Sequence, residues 1–303
     1  MRKRNTAASV RARLLNRARE TKQDFSIVLT RYAIERLLYR LSVSTHADQF
    51  LLKGALLFDL WFDIPHRPTR DIDFLGFGSA DLPSIENIFK DICRHETDDG
   101  LVFPRDSVRA SEIRADANYA GVRVTLLGMI DNARCQIQID IGFGDAVTPG
   151  PIDAEFPTML AAFDAPRLRV YPHYTVVAEK VEALTTLGIA NSRMKDYFDL
   201  WILSRHADFQ GDILRRAVQR TFNQRRTTLS KQAPFGLTDA FAQDTQKNIQ
   251  WNAFIRKNKL DALTLSEVVE MLNIFLQPVF EAAHHNVELA CNWDAGGPWL
   301  PCT

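Results

Sequence analysis

Arg70-Asp71-Ile72-Asp73-Phe74-Leu75 is a segment in which charged and apolar side chains alternate. This alternation is typical of a β-strand, because successive side chains point to opposite faces of a sheet. Asp71 and Asp73 are therefore expected on one face of the strand, with the apolar residues on the other. Two adjacent like charges repel each other without a cation, whereas a hard divalent ion such as Mg²⁺ prefers oxygen ligands so placed. The segment predicts a metal-binding strand.

A third carboxylate is predicted on the same sheet. Residues 136–141, with the sequence QIQIDI, alternate strictly and place Asp140 on the polar face of a second strand. Three carboxylates on neighbouring strands could hold two ions, one at an attacking hydroxyl and one at a triphosphate. Upstream, a turn at Gly54 opens a helix, and such turns accept phosphates readily. This order of elements is the one expected of a minimal nucleotidyltransferase core.

The rest of the sequence predicts a mixed half followed by a helical half. The first contains an amphipathic helix at 25–40, a strand or turn and then a helix at 50–62, a helix from near Leu82, and strands at 119–127 and 134–141. Beyond a Pro- and Gly-containing link at 148–151, helical periods occupy 176–206, 211–229 and 265–283. The tail after Asn286 is expected to be poorly ordered. We predict an α/β (α+β) fold: a core with a twisted mixed sheet and N-terminal helices in residues 1–170, and a helical domain in 171–303 that completes a nucleotide cleft.

Composition excludes several classes of protein. The 303 residues are 46% hydrophobic and 24% charged, with a formal net charge of zero, which is ordinary for a globular protein and argues against a general nucleic-acid coat. Neither a long apolar run nor a signal-peptide pattern is present, so a cytoplasmic protein without membrane contact is expected. The four cysteines form no CxxC pair and predict neither a zinc site nor a disulfide framework.

Four segments resemble the AbiEii/AbiGii toxin family, relatives of the MenT toxins. They are LKGALLF at 52–58, RPTRDIDF at 67–74, AEKVEA at 178–183 and KDYFDL at 195–200, and the resemblance spans residues 30 to 210 approximately. That family has the DNA polymerase β-like nucleotidyltransferase fold, and its members are toxins of toxin–antitoxin or abortive-infection systems. Some add nucleotides to the 3′ acceptor end of tRNA. The resemblance implies Mg²⁺-dependent transfer, with Mn²⁺ as an alternative ion, of a nucleoside monophosphate from an NTP to tRNA, and a cognate antitoxin as partner.

Carried over by motif, the resemblance also implies roles for individual residues. Asp71 and Asp73 would bind metal, while Arg67 and Thr69, in the R-x-[ST]-x-D-x-D motif, would lie near the incoming phosphates. The roles implied for the later motifs are triphosphate binding by Lys180 and an essential acid at Asp199. The chain departs from the family pattern in having Gly54-Ala55 for a glycine pair and Thr69 for a serine, which keeps the hydroxyl.

The later motifs leave alternatives open when they are interpreted from the residues alone. Lys180 shares a helical strip with apolar residues, so its ammonium must reach an anion, either a triphosphate or a neighbouring acid. Asp196 and Asp199 share one face of the next helix, where they either contact the nucleotide directly or order Lys180. Residues 212–231 are basic, and this segment is either an RNA-binding surface or a solvated helix face. Two alternatives to tRNA modification are a protein hydroxyl as acceptor and a non-catalytic nucleotide-binding module.

Overall fold

The structure, a computed structural model, describes residues 6–62, 67, 69–113 and 121–302. The chain forms two units, each with its own core. The described residues of the first unit are 6–62, 69–113, 121–144 and 152–170, and those of the second are 67, 145–151 and 171–302. The chain passes to the second unit at Tyr171, and two short earlier segments also belong to it.

A seven-stranded mixed sheet forms the centre of the first unit. Its strands, in chain order, are β1 (Phe50–Lys53), β2 (Asp71–Gly76), β3 (Arg109–Ile113), β4 (Gly121–Ile130), β5 (Ala133–Phe143), β6 (Ile152–Glu155) and β7 (Arg167–Val170). Their order across the sheet is β3-β4-β5-β2-β1-β7-β6. The pairs β2–β5 and β1–β7 are parallel and the other pairs are antiparallel. The predicted α/β fold with a mixed sheet is therefore confirmed.

The β4–β5 hairpin follows directly from its sequence. Buried and half-buried residues alternate along the whole of β4, as expected of a strand with one covered face. The two strands are joined at Asp131-Asn132, where Asp131 has a φ of +49°, a conformation that Asp tolerates better than most residues. The hairpin lies where the sequence predicts it, although residues 119 and 120 of the predicted strand lie outside the described residues.

Four helices belong to the first unit: α1 (Thr6–Glu20), α2 (Phe25–Ser42), α3 (Leu56–Trp61) and α4 (Leu82–Ile92). The apolar stripe of α2 is buried, as its period predicts. At the start of α4 the Asp81 side chain accepts a hydrogen bond from the backbone N–H of Ser84, a capping arrangement that stabilises the first turn. These helices pack against strands of the sheet.

The second unit is mainly helical, as predicted. Its helices are α5 (His173–Leu187), α6 (Met194–His206), α7 (Gly211–Gln224), α8 (Asp239–Ala242), α9 (Thr245–Asn258) and α10 (Leu265–His285). The predicted helical segment 176–206 is divided into α5 and α6 because Gly188 ends α5 with a φ of +49°. No helix in the described part of the chain combines the length and the apolar character needed to cross a bilayer.

The expectation of a poorly ordered tail is wrong. After α10 the chain forms strands β9 (Cys291–Trp293) and β10 (Trp299–Pro301). Strand β9 pairs with β10 on one side and with β8 (Phe209–Gln210) on the other, in a small antiparallel sheet. Trp293 is buried, and its ring lies 4.9 Å from that of Phe275 and 5.4 Å from that of Trp299. Aromatic burial of this kind stabilises a short segment that has few backbone hydrogen bonds of its own.

Candidate active site

The two aspartates of β2 leave the same face of the sheet. Asp71 and Asp73 are half-buried, whereas Ile72 and Phe74, which alternate with them, are buried in the core. Their strand runs parallel to β5, with Asp73 opposite Asp140. The structure therefore brings the three predicted carboxylates to adjacent positions of one face.

Gly54 lies directly against the carboxylate of Asp73. Its φ is +76°, a conformation that side-chain-bearing residues rarely adopt. A Cβ atom added at Gly54 would lie 2.0 Å from Oδ2 of Asp73, well inside van der Waals contact. The missing side chain of Gly54 therefore makes room for a site carboxylate, and the predicted binding of a phosphate at this turn stays a prediction.

Thr69 fixes the first aspartate of β2. Its hydroxyl donates a hydrogen bond of 2.9 Å to Oδ1 of Asp71. A donor at one carboxylate oxygen orients the group and leaves the other oxygen for a further partner. In the structure Thr69 therefore contacts Asp71 itself, and contact with a phosphate stays a prediction.

Asp140 forms an ion pair across the β4–β5 hairpin. Arg123, its partner across the β4–β5 hairpin, donates from Nε and Nη2 to the two oxygens of Asp140 at 2.8 and 2.7 Å. Among the residues that the structure describes, no group of three or more His, Cys, Asp or Glu side chains is arranged to hold a metal ion. The hairpin thus places a guanidinium beside the third acid, and metal binding by Asp140 stays a prediction.

Arg123 is a site residue that the sequence analysis missed. Its hydrogen bonds to Asp140 raise the pKa of the guanidinium, and the negative charges of Asp140, Asp71 and Asp73 raise that pKa further. The guanidinium thus lies within the electrostatic field of all three carboxylates. A signal for it exists in the sequence, since Arg123 and Asp140 are equally far from the predicted turn at 131–132.

The donor set of β2 fits a hard divalent cation. Asp71 and Asp73 offer only oxygen atoms, held by Thr69 on one side and accommodated by Gly54 on the other. Mg²⁺ is commonly bound by one or two protein carboxylates, with water and substrate phosphate oxygens completing its shell. Two adjacent carboxylates are sufficient for such a site.

A second charged cluster lies in the second unit, around α5 and α6. The Lys180 ammonium donates to Oδ1 of Asp196 at 2.8 Å and to Oδ2 of Asp199 at 2.7 Å. Arg67 donates from Nε and Nη2 to the two oxygens of Asp199 at 2.9 and 3.0 Å, and Arg193 lies 2.8 Å from Asp196. We call these five residues the lysine cluster. Three cations share two buried aspartates, so the cluster carries a net positive charge.

The geometry of the lysine cluster indicates whether Asp196 and Asp199 are placed to contact a nucleotide or to order Lys180. Burial acts to lower the pKa of Lys180, but the charges of Asp196 and Asp199 outweigh this and the pKa is raised, so the ammonium stays charged. Asp196 and Asp199 are 1% and 0% exposed, which leaves little surface for a nucleotide to touch. Their position favours ordering of Lys180 and Arg67. Direct catalysis by Asp199 and nucleotide contact by Asp196, Lys180 or Arg67 stay predictions.

The basic segment 212–231 divides into internal and exposed residues. Arg225 is held by Asp145, Glu179 and Glu182 at 2.9, 3.4 and 2.9 Å, and Arg215 by Asp212 at 2.7 Å. The exposed members are Arg216, Arg220, Arg226 and Lys231. Part of the segment therefore stabilises the fold, and the remainder faces outward.

Comparison with known proteins identifies one family. The family described as "Nucleotidyl transferase AbiEii toxin, Type IV TA system" matches residues 36–284. JHP933 from Helicobacter pylori resembles the structure with a TM-score of 0.48 and 14% identity, over 86% of this chain and 93% of that one. A candidate nucleotidyltransferase from H. pylori gives a TM-score of 0.44 and 14% identity, over 86% and 95% of the two chains. No curated protein matches the chain.

Proposed function

Because this chain belongs to the AbiEii family of nucleotidyltransferase toxins from type IV toxin–antitoxin systems, we propose that it transfers a nucleoside monophosphate from an NTP to the 3′ end of tRNA. The family match covers most of the chain, including both motifs that contain paired aspartates. Membership of the family identifies the chain as a nucleotidyltransferase. We propose the identity of the metal ion, the acceptor and the roles of individual residues.

One observation carries the proposal: Asp71 and Asp73 lie on the same face of β2, and two other residues of the family motifs support them. Thr69 donates to Asp71, and Gly54 leaves the space that the Asp73 carboxylate needs. Two residues from two motifs thus contact one pair of carboxylates. A pair that served only the solvated surface would not require a bare Cα beside it.

The reaction is an in-line substitution at the α-phosphate. The acceptor hydroxyl oxygen forms a bond to the α-phosphorus, and the bond from that phosphorus to the α–β bridging oxygen breaks. Pyrophosphate leaves with the electron pair of the broken bond, and the hydroxyl proton passes to water. Such a reaction depends mainly on positioning and on neutralisation of phosphate charge, so the protein needs no covalent chemistry of its own.

Asp71 and Asp73 would hold Mg²⁺ or Mn²⁺. When bound, the ion neutralises phosphate charge and polarises the oxygens it contacts. Thr69 restricts Asp71 and the Gly54 turn restricts Asp73, so both carboxylates stay on one face of β2. In the second unit, the net positive charge of the lysine cluster suits a triphosphate, and we assign that role to Lys180 and Arg67.

One feature of α7 supports a nucleic-acid acceptor. Arg216 and Arg220 are exposed one turn apart on α7, a spacing that suits successive contacts with a phosphate backbone.

Membership of a toxin family implies a cognate antitoxin that restrains the activity in the cell.

The experiment that tests the proposal asks which phosphate of the NTP is transferred and which molecule receives it. Purified protein is incubated with Mg²⁺, total tRNA and each NTP in turn, labelled with ³²P at either the α- or the γ-phosphate. We expect label on tRNA from α-labelled NTP alone. Label on protein in place of RNA would assign a protein hydroxyl as acceptor, and no transfer to either would contradict the proposed reaction.

A further inference from the structure

The carboxylate of Asp140 is fully engaged by side chains of its own sheet. Arg123 binds both of its oxygens, at 2.8 and 2.7 Å, and the amide nitrogen of Gln138 lies 3.4 Å from Oδ2. A two-pronged bond between a guanidinium and a carboxylate is among the strongest polar contacts in proteins. A metal ion bound to Asp140 would lie next to this guanidinium, whose positive charge repels it.

Charged residues form a row across four neighbouring strands. In register, Arg123 on β4 faces Asp140 on β5, Asp140 faces Asp73 on β2, and Asp73 faces Lys53 on β1. Paired strands lie about 4.8 Å apart, so these charges are close neighbours along the row. The basic residues stand at its two ends and the acids in the middle.

The charges of this row limit how many ions the site can hold. Asp71, Asp73 and Asp140 bring three negative charges, whereas Arg123 and Lys53 bring two positive charges. One divalent cation already outweighs the single negative charge that remains. A second divalent cation would add further positive charge and would lie beside a guanidinium that repels it.

We propose that Arg123 takes the place of a second metal ion, so that the site holds one divalent cation, at Asp71 and Asp73. Asp140 is then a positioning residue that directs Arg123. The Nη1 atom of Arg123 makes neither bond to Asp140, and the side chain is 40% exposed, so this nitrogen can donate to a substrate phosphate. The inference rests on the proposed function, because it takes the β2 carboxylates as the metal site.

Counting bound ions tests the inference without any measurement of activity. The full-length protein is titrated with Mn²⁺ in the absence of nucleotide, and electron paramagnetic resonance of the unbound ion gives the number bound per chain. We expect one ion for the wild type and two for Arg123→Gln, which removes the charge and exposes Asp140. Arg123→Lys keeps the charge and should still bind one. Two ions bound by the wild type, or one by Arg123→Gln, would overturn the inference.

Two further variants separate this inference from the proposed function. Asp140→Asn should still bind one ion, because Asp140 is not a ligand, and loss of that ion would refute its positioning role even if Arg123→Gln failed to fold. Asp73→Asn should reduce Mn²⁺ affinity at least tenfold. If Asp73→Asn binds Mn²⁺ as well as the wild type, or if the wild type binds none, the proposed metal site itself is wrong.

Discussion

At the scale of single residues, Gly54 shows how tightly the site constrains the chain. Its positive φ and its contact with Asp73 both exclude a side chain. We expect Gly54→Ala to displace the Asp73 carboxylate and to lower nucleotidyl transfer by roughly 100-fold, since an error of about 1 Å in a reacting group can have that effect. Transfer of labelled nucleotide measures the loss.

The neighbouring alanine provides a matched control for Gly54. Ala55 has an ordinary helical φ of −72°, and Ala55→Gly restores the glycine pair of the family. We expect Ala55→Gly to keep transfer activity close to that of the wild type. Equal activity of Gly54→Ala and Ala55→Gly would show that the close approach to Asp73 does not matter.

Glu35 on α2 is a second residue with a testable consequence. Burial raises its pKa from 4.5 to about 7, although the backbone N–H of Met159 donates to it at 2.6 Å and acts in the opposite direction. The folded protein therefore holds this proton more tightly than the unfolded chain does. The contribution of Glu35 to the free energy of unfolding is therefore largest below its pKa in the unfolded chain, and it falls as the pH rises from about 4.5 to 7.

Glu35→Gln removes that pH-dependent loss. We expect the variant to be more stable than the wild type at pH 8 by on the order of 2–3 kcal/mol, given about 1.4 kcal/mol for each unit of pKa shift. At pH 4.5 the difference should be much smaller. Urea denaturation at the two pH values measures it, and a difference that does not change with pH would contradict the assignment to Glu35.

At the scale of elements, α5 and α6 are joined by the lysine cluster. Asp199 is fully buried and contacts both Lys180 and Arg67. Asp199→Ala leaves two cations in a buried site without this acid, and breaking a buried ion pair costs about 3–5 kcal/mol. We therefore expect a lower Tm, by on the order of 10 °C. Lys195→Ala, on the exposed face of α6, is the control and should leave the Tm within about 2 °C of the wild type. Similar Tm values for the two variants would argue against a structural role for Asp199.

The exposed face of α7 makes a separate prediction about RNA. If Arg216 and Arg220 each contact a phosphate, the double change to alanine should weaken tRNA binding and reduce the slope of log K against log salt by about 1.4–1.8. Filter binding over a range of salt concentrations measures that slope. Arg167→Ala, an exposed arginine of the first unit, is the control. An unchanged slope in the double variant would mean that tRNA is bound elsewhere.

At the scale of the whole molecule, the sequence predicts elements whose pattern is local. Alternation identified β2 and the β4–β5 hairpin, and the helical period identified α2 and α10, because each buries one regular face. Helix α9 was missed since it buries only Lys247 and Trp251 and so presents no apolar stripe. Strands β6 and β7 have four residues each, too few for a period to be recognised.

The residues of the candidate active site also divide into those that a local sequence pattern indicates and those that it does not. Asp71 and Asp73 could be placed from their spacing, and the ion pair between Arg123 and Asp140 could have been derived from the turn between their strands. The bond between Arg67 and Asp199 joins residues 132 positions apart, and no local pattern indicates it. Tertiary packing alone brings these two motif residues together in one ion pair.

The most direct test of the central claim is nucleotidyl transfer by Asp73→Asn, a change that removes one negative charge and keeps the shape of the side chain. Wild type, Asp73→Asn and Asp153→Asn, an exposed aspartate of β6, are compared with α-labelled NTP and tRNA, and circular dichroism verifies the fold of each. We predict that Asp73→Asn loses transfer by roughly 1000-fold while Asp153→Asn retains it. Transfer by Asp73→Asn at the wild-type rate would contradict the placement of the active site on β2.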